Sequence, residues 1–149
     1  MRRILCATRG GEDSQPTQQA AIALAKEQGD ELVFLYVADV SFLDDIAAAV
    51  VVDVESELEG MGRFQLLLAR EQAAEQGVDA KIAICHGHLR EALIRAVRDL
   101  QASLVILGRP QQGTAVFDET GLQDFAAELE KETGAEVLIL DETPFGNRD

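Results

Sequence analysis

Six consecutive apolar residues, Leu32-Val33-Phe34-Leu35-Tyr36-Val37, decide the fold class of this sequence. An unbroken apolar run of this length, with β-branched and aromatic members and turn residues around it, predicts a strand buried on both faces. A strand with two buried faces requires helices on both sides of its sheet. We therefore expect the neighbouring segments to alternate between strands and helices.

The rest of the chain alternates in this way. Four more strands are predicted, at Arg3–Ala7, Val78–Cys85, Leu104–Leu107 and Val137–Leu140. Four helices are predicted between the strands, at Ser14–Gln28, Glu55–Gln76, Leu89–Leu100 and a last segment that contains Leu122 to Leu129 and ends at Gly134. The second helix is recognised by the helical spacing of its apolar residues, Leu58, Met61, Phe64 and Leu68. Residues 41–54 stay ambiguous, because Asp44-Asp45 could begin a helix whereas Val50-Val51-Val52 favours extended structure.

This order of elements predicts one doubly wound α/β domain over residues 1–141, with a five-stranded parallel sheet and helices on both of its faces. Residues 142–149 are predicted to form a C-terminal tail. In the strand Val78–Cys85, apolar residues alternate with others, in contrast to the solid apolar runs of the other strands. Such alternation predicts an edge strand with one face less well covered.

Composition restricts the possible partners and the location. The 149 residues include 13 Lys and Arg against 27 Asp and Glu, for a formal net charge of −14. That charge argues against nucleic acid and against an anionic membrane surface, since both are bound through Lys and Arg. No apolar run approaches the roughly 20 residues of a membrane-spanning helix. Arg2-Arg3 is not followed by the apolar region of a signal peptide. With Cys6 and Cys85 interpreted as two buried thiols, we expect a cytoplasmic protein.

Several common catalytic and binding motifs are missing from the sequence. Gly10-Gly11 does not belong to a dinucleotide-binding G-x-G-x-x-G, and neither a P-loop nor a G-x-S-x-G nucleophile motif occurs. His86 and His88 are the only histidines, and two ligands without a nearby third make a poor metal site. We therefore expect no metal centre. Ligands of a doubly wound domain bind at the carboxyl ends of the strands, where the strand order reverses.

Four stretches carry a family resemblance. The first is Ile4-Leu5-Cys6-Ala7-Thr8-Arg9-Gly10-Gly11-Glu12-Asp13-Ser14, the second is Gly87 with the following Arg90-Glu91-Ala92-Leu93 helix, the third is Ala102 to Gly108, and the fourth is the closing strand Val137–Leu140. Together they resemble the universal stress proteins. The resemblance implies a Rossmann-like sheet in the order 3-2-1-4-5, similar to adenine nucleotide alpha-hydrolases. It also implies a homodimer formed through the fifth strand, at Val137, Leu138, Ile139 and Leu140.

The resemblance further implies where a nucleotide would bind. ATP-binding members carry G-x2-G-x9-G-[S/T] after the fourth strand. Here Gly108 and Gly121 stand at the first and third glycine positions. Gln111 replaces the second glycine, and Leu122 replaces the final Ser or Thr. Gly113-Thr114 could partly substitute for the missing residues. Thr8 is retained after the first strand, although Arg9 stands where ATP binders have an acidic residue. Val37 matches the position that contacts adenine, and Ala7 and Leu107 are expected nearby.

Arg9 and Arg109 follow the first and fourth strands, which border the expected crevice. Two guanidinium groups in this position could hold a carboxylate or phosphate in fork geometry. Alternatively, each arginine points to solvent or pairs with an acidic neighbour such as Glu12, Asp13 or Asp39. The first possibility predicts a small anionic ligand.

Together, the residues and the resemblance favour a cytoplasmic, homodimeric binding or regulatory module in stress response, with a degenerate adenine-nucleotide site. We expect this module to require no cofactor, and we expect its binding of ATP or AMP to be weak or lost. One alternative is an ATP- or AMP-binding protein with slow nucleotide hydrolysis, which is disfavoured because no general base accompanies a phosphate cradle. Another alternative is a structural partner domain with a vestigial pocket.

Overall fold

The computed structural model describes residues 2–8, 15–38, 48–109 and 119–141, in which five strands alternate with four helices. In chain order, these elements are β1 (Arg3–Ala7), α1 (Gln15–Gln28), β2 (Glu31–Ala38), α2 (Ala48–Glu75), β3 (Lys81–His86), α3 (Leu89–Leu100), β4 (Leu104–Arg109), α4 (Glu119–Thr133) and β5 (Glu136–Asp141). Ser14, where the first helix is predicted to begin, and the predicted tail at 142–149 lie outside the described residues. No helix in the described ranges is long and apolar enough to cross a membrane.

All neighbouring strands are parallel, and the sheet has the order β3-β2-β1-β4-β5. The predicted fold class is therefore confirmed. The central strand β1 pairs with β2 on one side and with β4 on the other, so that Leu5 lies opposite both Val33 and Val105. The run Leu32–Val37 lies within β2, next to the central strand, where both faces of the sheet are covered.

Each face of the sheet carries its own layer of helices and its own apolar core. Residues of α1 and α2 pack on one face around Ile4, Phe34 and Ile106. Residues of α3 and α4 pack on the other face around Leu5 and Val105. Alternation of side chains along each strand separates the two cores, because successive residues point to opposite faces.

Helix α2 differs most from the sequence prediction. It begins at Ala48, so the ambiguous segment 41–54 includes its first turns, and Val50-Val51-Val52 is helical despite its β-branched composition. Its buried face is also not the row of bulky apolar residues that the sequence pattern selected. The helix instead buries a row of mostly small residues: Gly62, Leu66, Ala69 and Ala73. Met61, Phe64 and Leu68 are exposed instead. The small residues allow α2 to lie close to the sheet, and a Cβ atom built on Gly62 would lie 2.3 Å from the ring of Tyr36.

Strand β3 is an edge strand, as predicted, but it is shorter than the segment Val78–Cys85 and its faces are covered differently. Val78 and Ala80 are buried before the strand begins, and the Val78 N–H donates to the Ala73 carbonyl at 2.8 Å, closing the end of α2. Within β3 the four residues from Ile82 to Cys85 are all half-buried. The prediction of one less covered face is therefore wrong, because side chains on both faces pack against a core.

Candidate ligand-binding crevice

A crevice is expected between the carboxyl ends of β1 and β4, because the strand order reverses between these two strands. They pair in parallel, with Ile4 opposite Leu104 and Cys6 opposite Ile106. After β1 the chain continues to α1 on one face of the sheet, and after β4 it continues to α4 on the other face. Connections that leave in opposite directions open a space at the end of the sheet, and ligands of doubly wound folds bind in this space.

Three of the predicted adenine-side residues lie on the same face of the sheet, at the carboxyl ends of three adjacent strands. Ala7 of β1 and Val37 of β2 are half-buried, and Leu107 of β4 is buried. All three belong to, or pack against, the core beneath α3 and α4. The structure therefore brings them together as an apolar wall, with two of the side chains partly accessible.

Thr8 and Gln18 form a buried polar pair on the other side of β1. The Gln18 side-chain amide donates to the Thr8 hydroxyl oxygen at 2.7 Å, and the Thr8 backbone N–H donates to the Leu35 carbonyl at 2.8 Å. These bonds hold the residue that directly follows β1 against α1. Gln18 was not predicted, because a polar residue within an amphipathic helix gives no sequence signal of burial.

We expect Thr8→Val to lower the free energy of unfolding by about 1–3 kcal/mol, because it leaves the buried Gln18 amide without this acceptor. Chemical denaturation followed by circular dichroism measures the change. The double variant Thr8→Val/Gln18→Leu should recover part of the loss, since it removes both polar partners. An unchanged midpoint for Thr8→Val would show that this hydrogen bond contributes nothing to stability.

The remaining predicted residues belong to the phosphate side of the site, after β1 and β4. Arg9, Gly113 and Thr114 lie outside the described residues, and the anion fork stays a prediction. Gly108 is half-buried near the end of β4, and Arg109 is its last residue, opposite Asp141 of β5.

Gly121 and Leu122, predicted near the phosphates, lie in the first turn of α4, which begins at Glu119. Gly121 is half-buried. Leu122 is buried in the core between α4 and the sheet. The side chain of Leu122 therefore serves packing.

His86 ends β3 and is held by α2. Its Nε2 atom lies 3.2 Å from Oε1 of Glu59, and the other carboxylate oxygen, Oε2, accepts a hydrogen bond from Arg63 at 3.1 Å. The hydrogen bond with His86 is the main cause that lowers the pKa of Glu59, and Arg63 adds to the effect. Gly87 follows with a φ of +115°, a conformation that favours glycine, and His88 is exposed. Across the described segments, no three His, Cys, Asp or Glu residues group into a metal site.

Both cysteines are free thiols in the structure. Cys6 is buried and Cys85 is half-buried. Burial is the main cause that raises the pKa of Cys85, and its effect exceeds the opposing effect of Arg95. Since the thiolate is the reactive form, this environment makes Cys85 a poor nucleophile.

The fifth strand forms the second edge of the sheet. Val137, Ile139 and Leu140 are half-buried, whereas Leu138 is 40% exposed. The Val137 N–H, which β4 does not use, donates to a carboxylate oxygen of Glu130 on α4 at 3.0 Å. A groove of about 320 Å³ runs between α4 and this strand, lined by Gln123, Ala126, Ala127, Glu130, Val137 and Ile139. The sequence had not indicated the role of Glu130.

Comparison with known proteins gives one consistent result. The model of the universal stress protein family matches residues 1–116. Universal stress protein YxiE of Bacillus subtilis (strain 168) is 25% identical over 146 residues, which cover 93% of this chain and 97% of that protein.

Solved structures share the fold. A universal stress protein in complex with cAMP superposes with a TM-score of 0.68 at 20% identity, covering 95% of this chain and 98% of that one. A universal stress protein family protein from Arabidopsis thaliana with AMP bound gives a TM-score of 0.67 at 10% identity, covering 97% and 94%.

Proposed function

Because this chain belongs to the universal stress protein family, we propose that it is a regulatory binding module whose crevice between β1 and β4 takes adenine nucleotides with a weakened hold on their phosphates. The observation that carries the proposal is the apolar wall of Ala7, Val37 and Leu107. These residues lie on one face of the sheet at the point where the strand order reverses. An apolar wall suits an adenine ring, because small-molecule sites are lined mainly by apolar side chains.

Two structural neighbours support the choice of ligand. One holds cAMP and the other holds AMP, and both share the fold of this chain over nearly its whole length. Each of these ligands combines adenine, ribose and a single phosphate. In this chain, the apolar wall of Ala7, Val37 and Leu107 would contact the adenine base.

The weakened hold on phosphate is supported by the sequence after β4. Gln111 stands where the ATP-binding pattern has glycine, and a side chain there limits how closely backbone N–H groups approach a phosphate. Leu122 stands where the pattern has a hydroxyl group, and its side chain is buried in the core. Regulation by such a module requires no catalytic group, and we propose no nucleotide hydrolysis.

Calorimetric titration with adenosine, AMP, ATP and inorganic phosphate tests this proposal. If the phosphates contribute little, the dissociation constants of adenosine, AMP and ATP should agree within about threefold, and each should be weaker than about 10 µM. An ATP affinity more than about tenfold tighter than that of adenosine would contradict the weakened hold. Binding of phosphate alone would instead assign the crevice to a small anion, and no binding of any compound would leave a vestigial pocket.

We further propose that the module is a cytoplasmic homodimer that pairs through β5. The strand lies at the edge of the sheet, and an unpaired edge with an apolar side chain is normally covered. Leu138 is exposed at this edge and Val137, Ile139 and Leu140 are half-buried beside it. The Glu130 carboxylate accepts a hydrogen bond from the Val137 N–H, which faces the open side of β5. A partner strand would therefore either pair from Ile139 onward or displace this carboxylate.

A further inference from the structure

The outer face of α2 exposes four large apolar side chains that lie together. Met61 is 64% exposed, Phe64 59%, Leu68 44% and Leu67 38%. We call these four residues the α2 apolar patch. Met61, Phe64 and Leu68 are spaced by three, four and seven positions, and Leu67 lies three positions after Phe64, so the four residues share one side of the helix. The opposite side of α2, with Gly62, Leu66 and Ala69, faces the sheet.

Acidic residues border the α2 apolar patch at both ends along the helix. Glu57 lies two turns before Phe64, Glu71 lies two turns after it, and Glu75 lies two turns after Leu68. All three are exposed, and none of them has an ion-pair partner among the residues that the structure describes. Two basic residues, Arg63 and Arg70, lie to one side of the patch, and Arg63 is paired with Glu59. The patch is therefore apolar in the middle and negative at each end.

This charge pattern disfavours a second copy of the chain as the occupant. In an antiparallel pair of α2 helices, Glu57 of one copy would lie near Glu71 or Glu75 of the other. In a parallel pair, each acid would lie near its own equivalent. Both arrangements place like charges together, and the net charge of −14 adds to the repulsion.

We propose that the α2 apolar patch docks an amphipathic helix of a partner protein, one that carries Lys or Arg at both ends of its apolar stripe. The apolar residues of that helix would cover Met61, Phe64, Leu67 and Leu68, and its basic ends would meet Glu57, Glu71 and Glu75. This interaction is independent of the nucleotide crevice. Because α2 packs against β2 and β3, at the opposite end of the sheet from β5, the patch stays accessible in a dimer paired through β5.

A designed helical peptide with a central leucine stripe and lysines at both ends is the probe, and its binding is measured by fluorescence anisotropy. The control peptide has the same composition in scrambled order, so it keeps the charge and loses the stripe. The double variant Phe64→Ser/Leu68→Ser removes the apolar contact, and Glu71→Lys/Glu75→Lys reverses the charge at one end. The matched charge control is Glu91→Lys/Asp99→Lys, at exposed positions of α3 on the other face of the sheet.

The wild type should bind the patterned peptide at least about tenfold more tightly than the scrambled one, and each α2 variant should lose roughly tenfold or more. The α3 variant should keep the patterned peptide's affinity within about threefold. Equal binding of both peptides, or unchanged binding by folded α2 variants, would overturn the proposal. Self-association in light scattering that Phe64→Ser/Leu68→Ser abolishes would also overturn it, as would binding to phosphatidylcholine vesicles that requires the patch.

Discussion

Gly62→Ala is expected to lower the free energy of unfolding by about 2 kcal/mol, because the added methyl group meets a rigid side chain. A Cβ atom at this position would lie 2.3, 2.5 and 2.7 Å from three ring carbons of Tyr36, the last of which is the ring atom nearest the backbone. The ring is half-buried between α2 and the sheet, so relief requires the helix or the strand to shift.

Gly60→Ala is the matched control in the same helix. Nothing lies within 4 Å of a Cβ atom at Gly60, and alanine is the better helix former, so stability should rise by about 0.5–1 kcal/mol. Urea denaturation of the two variants and the wild type measures both effects. The opposite signs separate close packing from helix propensity. A stabilising effect of Gly62→Ala would show that α2 does not lie against Tyr36 as the structure has it.

Leu138→Lys is expected to weaken the homodimer at least about 30-fold, because it places a charge at the proposed strand pairing. The leucine is 40% exposed at the free edge of the sheet, so the substitution leaves the fold intact. Leu68→Lys is the matched control, since this leucine is 44% exposed on α2 and lies away from β5. Analytical ultracentrifugation over a concentration series gives the dimer dissociation constants of all three proteins.

The wild type should be dimeric, Leu138→Lys should be largely monomeric and Leu68→Lys should remain dimeric. A wild type that stays monomeric at about 100 µM would contradict the proposed dimer. Dissociation caused by Leu68→Lys alone would place the interface on α2. That result would contradict both the β5 dimer and the docking of a different protein on the α2 apolar patch.

The fold class could be predicted because β2 and β4 are unbroken apolar runs, and a strand of this kind requires a sheet covered on both faces. The strand order could not be derived from periodicity, which shows only that strands and helices alternate. It followed from the family resemblance of the residues around Thr8 and Gly108. The structure then confirmed both the alternation and the order.

Helix α2 shows where hydrophobic periodicity misleads. The pattern selected Met61, Phe64 and Leu68 because they are bulky, whereas the helix buries Gly62 and Ala69, and the small Gly62 permits a close approach to Tyr36. Size complementarity between α2 and the sheet is a tertiary property that a single sequence does not display. Met61, Phe64 and Leu68, which the pattern assigned to the core, belong to the α2 apolar patch on which the partner interaction is proposed.

Only part of the candidate site could be predicted, because some of its residues depend on tertiary contacts that a single sequence does not display. The family resemblance singled out Val37, with Ala7 and Leu107 nearby, and topology adds that the carboxyl ends of parallel strands share one edge of the sheet. Gln18 could not be predicted, because its role depends on the 2.7 Å contact that its amide makes with Thr8 across the interface between α1 and β1. Glu130 is similar, since its partner is a backbone N–H that is free only because β5 lies at an edge.

Titration of the ¹⁵N-labelled protein with AMP, followed by two-dimensional NMR, tests the nucleotide crevice most directly. The proposed function predicts chemical-shift changes concentrated at the amides of Ala7, Thr8, Val37, Leu107 and Gly108, at the carboxyl ends of β1, β2 and β4. The same titration of Val37→Asp, which places a carboxylate in the apolar wall, should show much smaller changes. If the wild type shows no chemical-shift changes at millimolar AMP, or shows changes confined to α2 or β5, the proposed nucleotide crevice is contradicted.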